Sequence, residues 1–162
     1  MMTVPENNQW ALALAPATDA AGRTSSYFSL KDVKGKAYVR VDITQGNAAT
    51  VAITLQQATT VAGGSAKALS ATTRVWATED AGTAATVLPA RVADAASTYT
   101  TGAALANKSV IIEVDPSTLD VNNGFDCIAV TTGASNVANL TTAQILIPTK
   151  YGQTTLRSPR TN

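Results

Sequence analysis

The sequence contains no histidine and a single cysteine, Cys127. Histidine is the commonest general base and metal ligand near neutral pH, so its absence excludes Ser-His-Asp and Cys-His catalytic units. One cysteine cannot form an internal disulfide or build a zinc or iron–sulfur site. Because no base or cation flanks Cys127, we expect Cys127 to behave as a small buried hydrophobic residue and not as a reactive thiol. These absences predict a protein that is not an enzyme and uses no metal or cofactor.

Charged and aromatic side chains are also scarce. Charged residues make up 14% and aromatic residues 5% of the 162 residues, and the formal net charge is +1. Such a chain generates no strong field toward nucleic acid or an acidic membrane, so neither is a predicted partner. The longest apolar run, from Trp10 to Ala17, is far shorter than the roughly 18 residues of a membrane span. Residues 1–8 lack a basic start followed by an apolar segment, so no signal peptide is predicted.

Alanine and threonine together make up about a third of the chain. Threonine favours strands because its branched side chain fits a pleated surface, and the alanines are interleaved with strand and turn residues. Alternating segments between turns predict about eight or nine short strands. We therefore predict a single-domain, all-β protein, an antiparallel β-sandwich of jelly-roll-like form. The sandwich would span residues 1–149, including an N-terminal apolar segment, and residues 150–162 would form a polar, weakly basic C-terminal arm.

The clearest strand pattern covers residues 37–44. Its apolar residues alternate with Tyr38, Arg40 and Asp42, which we expect to face outward. Residues 51–55 alternate in the same way, and the intervening Gly46-Asn47 turn predicts a β-hairpin.

Three other segments carry local signals. The apolar centre of residues 109–114 predicts a strand buried on both faces. Asp115 and Pro116 predict the cap and the first residue of a helical turn that ends near Gly124. Residues 79–96 are predicted to be mostly loop, with a short strand at residues 87–88 and a helical turn at residues 90–96.

Acidic residues are dispersed, and one loose group allows two interpretations. A calcium loop is one, because calcium takes carboxylate and carbonyl oxygens. Caps, turns and outward strand positions are the other, and the spacing favours them because it matches no known calcium loop. The group consists of Glu113, Asp115, Asp120 and Asp126.

The tryptophans and the C-terminal segment are the candidate contact regions. Trp76, between two apolar residues, is predicted to lie in the core or on a sheet surface, whereas for Trp10 a core and an interface position are both open. The three basic residues of the C-terminal segment are too sparse for phosphate binding. That segment is either a frayed terminus or an arm that orders on a neighbouring subunit.

Two blocks of sequence resemble small virion proteins encoded near the major capsid protein of tailed bacteriophages. The first block, residues 38–69, contains the stretches TLQQA (residues 54–58) and AKAL (residues 66–69). The second, residues 112–130, contains EVD, LDV and NGFDC. These stretches mark strands and turns rather than a reactive site. The resemblance covers about a third of the chain and implies a virion-associated structural protein.

The resemblance implies a head-decoration (cement) protein that binds and stabilises the assembled capsid shell. Its implied partners are the major capsid protein and copies of itself, as a homotrimer. Its implied location is the head surface of the virion, after a period in the host cytoplasm. The alternatives are a neck or tail component, or a carbohydrate-binding module on the particle surface. The predicted interface residues belong to the two termini and are Trp10, Leu12, Leu14, Tyr151, Leu156, Arg157 and Arg160.

Overall fold

The computed structural model describes residues 7–70, 73–82, 89–150 and 158–160, and these form two antiparallel β-sheets packed together. The described strands are β1 (Asn8–Thr18), β2 (Arg23–Thr24), β3 (Phe28–Ser29), β4 (Ala37–Gln45), β5 (Ala52–Ala58), β6 (Lys67–Ala68), β7 (Thr73–Thr78), β8 (Ala90–Ala96), β9 (Thr98–Thr100), β10 (Asn107–Val114), β11 (Cys127–Thr132) and β12 (Asn139–Pro148). Two 3-10 helices, Pro116–Thr118 and Val121–Asn123, lie between β10 and β11.

Sheet A has the strand order β1-β12-β4-β10-β7-β8, so β1 and β8 are its edge strands. Sheet B is built on the pair β11–β5, with β2 and β3 beside β11 and with β6 and β9 beside β5. Apolar side chains from both sheets form one core cluster, to which Val41 and Ile112 contribute from sheet A and Ile53 and Ile128 from sheet B. The predicted all-β sandwich is confirmed.

The predicted alternation in β4 is also confirmed. Every second residue of β4, starting at Ala37, is buried, whereas Tyr38, Arg40 and Asp42 lie on the outer face of sheet A. Successive side chains of a strand point to opposite faces, so one buried face is enough to produce this pattern. β10 is buried at most of its positions, as predicted: Val110, Ile112 and Val114 pack in the core, whereas Ile111 on the outer face is only partly buried.

The predicted hairpin between β4 and β5 is wrong. β4 pairs with β10 and β12 in sheet A, whereas β5 pairs with β11 in sheet B, so the turn at Gly46 carries the chain between sheets. A Cβ atom at Gly46 would lie 2.6 Å from the carbonyl oxygen of Ala138, which leaves no room for a side chain there. Inward-facing alternation is the same for two hairpin strands and for strands on opposing sheets, so the pattern does not distinguish them.

The segment predicted to be mostly loop contains the edge strand β8. The predicted helical turn at residues 90–96 is wrong, because these residues pair with β7. The pairing contains two register shifts, and such irregularities interrupt the alternation that identifies a strand from sequence. Residues 83–88, which include the predicted strand at residues 87–88, lie outside the described residues. The described chain also has more strands than expected, because β2, β3, β6 and β9 are only two or three residues long.

The predicted helical turn after β10 is confirmed as the first of the two 3-10 helices. Asp115 caps it by accepting a hydrogen bond from the Ser117 backbone N–H at 2.9 Å, and Pro116 occupies the first turn. The second helix ends at Gly124, whose left-handed backbone (φ 79°) suits glycine. These turns carry the chain from sheet A to sheet B.

Arg23 joins the two sheets where β1 approaches β2. Its guanidinium donates to the carbonyl oxygens of Ala15, Ala17 and Thr141 at 2.7, 3.1 and 2.8 Å. Its Nε atom donates to the carboxylate of Asp19 at 2.9 Å, and Asp19 is fully buried. A guanidinium carries five N–H donors in one plane, so a single side chain satisfies backbone groups of β1 and β12 together with a buried carboxylate.

Candidate functional site

Strand β1 presents two large apolar side chains to solvent at the edge of sheet A. Trp10 is 54% exposed and Leu12 is 58% exposed, whereas Leu14 is 6% exposed and belongs to the core. The pairing of β1 with β12 shifts register between Leu12 and Leu14, and this bulge turns Leu14 to the inner face. Leu14 was predicted to be an interface residue together with Trp10 and Leu12, but it is buried in the core and is not an exposed contact residue.

An open groove with a volume of about 460 Å³ crosses the outer face of sheet A. Both tryptophans of the chain line it: Trp10 on β1 and Trp76 on β7. Tyr38 on β4 lies between them, and Ile111 and Leu146 add apolar surface. The chain has eight aromatic residues, so placing three of them in one solvent-facing groove marks this surface as a candidate site.

The pairing register explains why residues distant in sequence meet in this groove. Residues directly opposite each other on antiparallel strands share a face of the sheet. The groove is built on two neighbouring rows of such residues, Trp10–Leu146–Tyr38–Glu113 and Arg40–Ile111–Trp76.

The two charged side chains that line the groove, Glu113 and Arg40, each pair with a neighbouring residue of opposite charge. Glu113 accepts a hydrogen bond from Lys36 Nζ at 2.5 Å, and Arg74 lies 3.7 Å from the same carboxylate oxygen. Arg40 Nε lies 3.0 Å from Asp42 Oδ2. The groove therefore combines aromatic rings with two charged groups, Arg40 and Glu113, each of which has an oppositely charged neighbour.

Sequence reasoning found some of these residues and missed their association. The outward positions of Tyr38 and Arg40 were predicted from alternation, and Trp76 lies on a sheet surface, one of its two predicted locations. The groove itself was not predicted, because it needs the strand order β1-β12-β4-β10-β7. No local pattern reports that order.

The acidic residues considered for calcium have separate roles, as the cap and turn interpretation predicted. Hydrogen bonds from Ser117 hold the pKa of Asp115 below its ordinary value, because they stabilise the carboxylate form. A hydrogen bond from Lys67 similarly lowers the pKa of Asp120. Within the part of the chain that the structure describes, no group of three or more acidic or cysteine side chains could hold a metal ion.

The C-terminal segment returns to the body of the sandwich in its described part. The Lys150 N–H donates to the Asp32 carbonyl at 2.9 Å, and the Ser29 N–H of β3 donates to the Pro159 carbonyl at 2.7 Å. Arg160 follows and is exposed. Three predicted interface residues lie outside the described residues, namely Tyr151, Leu156 and Arg157.

Two further expectations concern the thiol and the membrane. Cys127 is fully buried in β11 and its Sγ atom lies 3.0 Å from Asp126 Oδ1, which agrees with a small core residue. None of the helices in the described residues is long and apolar enough to cross a bilayer.

Comparison with known proteins gives no family assignment. No family model matches this chain, and no curated protein matches it in sequence. Among solved structures, the SPBc2 prophage-derived protein YomS is similar with a TM-score of 0.47 and 11% identity, over 86% of this chain and 92% of that one. A proposed sugar-binding protein from Bacteroides thetaiotaomicron is similar with a TM-score of 0.35 and 9% identity, over 90% and 84%. Structural similarities this weak do not support any conclusion about the function of this chain.

Proposed function

We propose that this chain is a non-enzymatic structural protein of a tailed-phage particle that binds and stabilises the assembled head shell. The observation that carries the proposal is the exposure of Trp10 and Leu12 on the edge strand of sheet A. Burying a large apolar side chain against a partner contributes about 1.5 to 3 kcal/mol, so two such neighbours are suited to an interface. The resemblance of residues 38–69 and 112–130 to phage virion proteins favours the capsid shell as the partner.

The C-terminal segment is a second proposed contact region. The Thr149 N–H donates to the Asn7 carbonyl at 2.8 Å, so the two ends of the described sandwich lie together beside β1. The described part of the C-terminal segment contacts Asp32 and Ser29, so it offers a contact region separate from Trp10 and Leu12. The arm residues Tyr151, Leu156, Arg157 and Arg160 remain proposed contacts for the major capsid protein or for neighbouring copies in a homotrimer.

The expected effect on the shell follows from mass action. A protein that binds the assembled shell, and not its loosened form, shifts the equilibrium toward assembly. Copies arranged as a closed trimer would add several such contacts at each site. Catalysis is not needed for this role.

The test is a binding assay with shells that lack the protein, using the full chain and the variant Leu12→Asp. We expect the variant to bind roughly tenfold or more weakly, because a carboxylate would be buried without a partner. Leu105→Asp is the matched control, because Leu105 is 65% exposed and lies before β10, at the opposite end of the sandwich. Equal binding by Leu12→Asp and the unmodified chain would overturn the proposed surface.

Location on the particle requires a second measurement. Immunogold labelling of intact particles is expected to mark the head at regular intervals. Labelling confined to the neck or tail would replace the head-shell role with the alternative of a neck or tail component. Absence of label from the whole particle would refute a virion role.

A further inference from the structure

We propose that the groove between Trp10 and Trp76 binds a neutral oligosaccharide. This activity is additional to shell attachment and does not depend on it. The groove is open to solvent and lined by aromatic, aliphatic and planar polar side chains, with a volume of about 460 Å³. Small-ligand sites combine such apolar walls with a few hydrogen-bonding groups that set orientation.

The aromatic rings are spaced for an extended ligand. Trp10 and Trp76 lie four strands apart in sheet A, which corresponds to about 19 Å between their backbones. Tyr38 lies on the middle strand of this path. One face of a sugar ring presents mainly C–H groups, which pack against the electron-rich face of an aromatic ring. Three rings along one path therefore suit a chain of several sugars rather than a single ring.

The polar groups suit hydroxyls rather than a charged ligand. Glu113 is engaged by Lys36 and Arg74, and Asp42 engages Nε of Arg40. Because Glu113 already pairs with two cations, an acidic polymer would have to compete with it for Lys36 and Arg74. The Arg40 guanidinium carries further N–H donors beyond Nε, and the Glu113 carboxylate can accept from a hydroxyl.

A protein partner fits this groove less well than a sugar. The centres of protein interfaces are depleted of Glu, Asp and Lys, whereas Arg and aromatic residues are enriched there. Here the Glu113 carboxylate lies among the aromatic rings that a protein partner would have to cover. A sugar leaves such groups partly hydrated and replaces some of their water with hydroxyls.

The shell surface and the groove are separable by mutation. Leu12 lies on β1 outside the groove. Trp76 lies in the groove on β7, four strands away from β1 in sheet A. Trp10 borders both surfaces, so its substitution does not discriminate between them. Loss of shell binding in Leu12→Asp with intact sugar binding would show that the two activities are independent.

The test uses the full chain on an array of neutral glycans, followed by titration with the strongest hit while tryptophan fluorescence is recorded. Cellohexaose, maltohexaose and chitohexaose serve as defined probes. We expect at least one neutral glycan to bind and to change the fluorescence of Trp10 and Trp76. Trp76→Ala should weaken binding roughly tenfold, and Trp76→Phe should restore part of it because it retains a ring.

Two further variants keep the result interpretable. Arg40→Ala, at an exposed position, should weaken binding without unfolding the protein, even if Trp76→Ala folds poorly. Val121→Ala, an exposed apolar position in the second 3-10 helix, should bind as well as the unmodified chain. The proposal is overturned if no neutral glycan binds, if Trp76→Ala and Arg40→Ala bind normally, or if only acidic polymers or peptides occupy the groove.

Discussion

Lys108 Nζ lies 2.7 Å from Glu79 Oε2, and the lysine side chain is fully buried while the glutamate side chain is 39% exposed. Lys108 also donates to the Gly102 carbonyl, and the Tyr99 hydroxyl donates to the second carboxylate oxygen of Glu79. Tyr99 belongs to β9 of sheet B, whereas Lys108 belongs to β10 of sheet A. The carboxylate therefore joins the two sheets and pairs an ammonium group that has no access to water.

Removing the charge of Glu79 should destabilise the fold. We expect Glu79→Gln to lower the free energy of unfolding by about 1 to 3 kcal/mol near neutral pH, because Lys108 would lose its ionic partner. Urea denaturation followed by fluorescence measures the change. The double variant Glu79→Gln, Lys108→Met should recover part of the loss, since it removes the buried charge as well. A double variant less stable than Glu79→Gln alone would contradict this explanation.

The same carboxylate predicts a pH dependence. Burial by itself would raise the pKa of Glu79, but hydrogen bonds from Lys108 and Tyr99 and the charge of Lys108 together hold this pKa below its ordinary value of 4.5. The folded chain then binds fewer protons than the unfolded chain. The stability that Glu79 contributes is therefore complete above about pH 4.5 and is lost as pH falls through the folded pKa. The difference in unfolding free energy between the unmodified chain and Glu79→Gln should shrink over that interval. A difference that stays constant down to about pH 3 would exclude this linkage.

The contacts of Arg23 predict that it cannot be replaced by another cation. Arg23→Ala should lower the free energy of unfolding by about 3 kcal/mol or more, because it leaves the buried Asp19 carboxylate without its cation. It also removes the shared donor of the Ala15, Ala17 and Thr141 carbonyls. Arg23→Lys should retain only part of the stability that Arg23→Ala loses, because an ammonium group cannot donate to several acceptors in one plane. Thermal and urea unfolding of both variants measure the difference. Equal stability of Arg23→Lys and the unmodified chain would show that charge alone is sufficient.

The bulge in β1 predicts unequal effects at two leucines that sequence alternation treats as equivalent. Leu14→Ala should lower stability by about 2 to 5 kcal/mol, because it leaves a cavity in the core. Leu12→Ala should change stability by no more than about 0.5 kcal/mol, because its side chain is mostly exposed. Urea unfolding of the two variants provides a matched comparison. A similar loss in both would mean that Leu12 also packs in the core.

Local signals in the sequence predicted those features whose cause is local. The alternation around Tyr38 and Arg40 predicted which side chains face the core, and Asp115 with Pro116 predicted a capped turn. Local signals did not report the bulge at Leu14 or the edge strand β8. In β1 the sequence keeps its period of two through Leu14 while the pairing register shifts, and in β8 the pairing register is also irregular.

The sequence alone therefore determined the all-β class, the inward and outward faces of the main strands, and the absence of histidine-based chemistry. Only the tertiary structure decided that β4 and β5 lie on different sheets, and that Trp10, Tyr38 and Trp76 meet in one groove. The physical reason is that side-chain alternation depends on each strand's own contact with the core. Strand order instead depends on pairings between segments far apart in the chain, which leave no local period in the sequence.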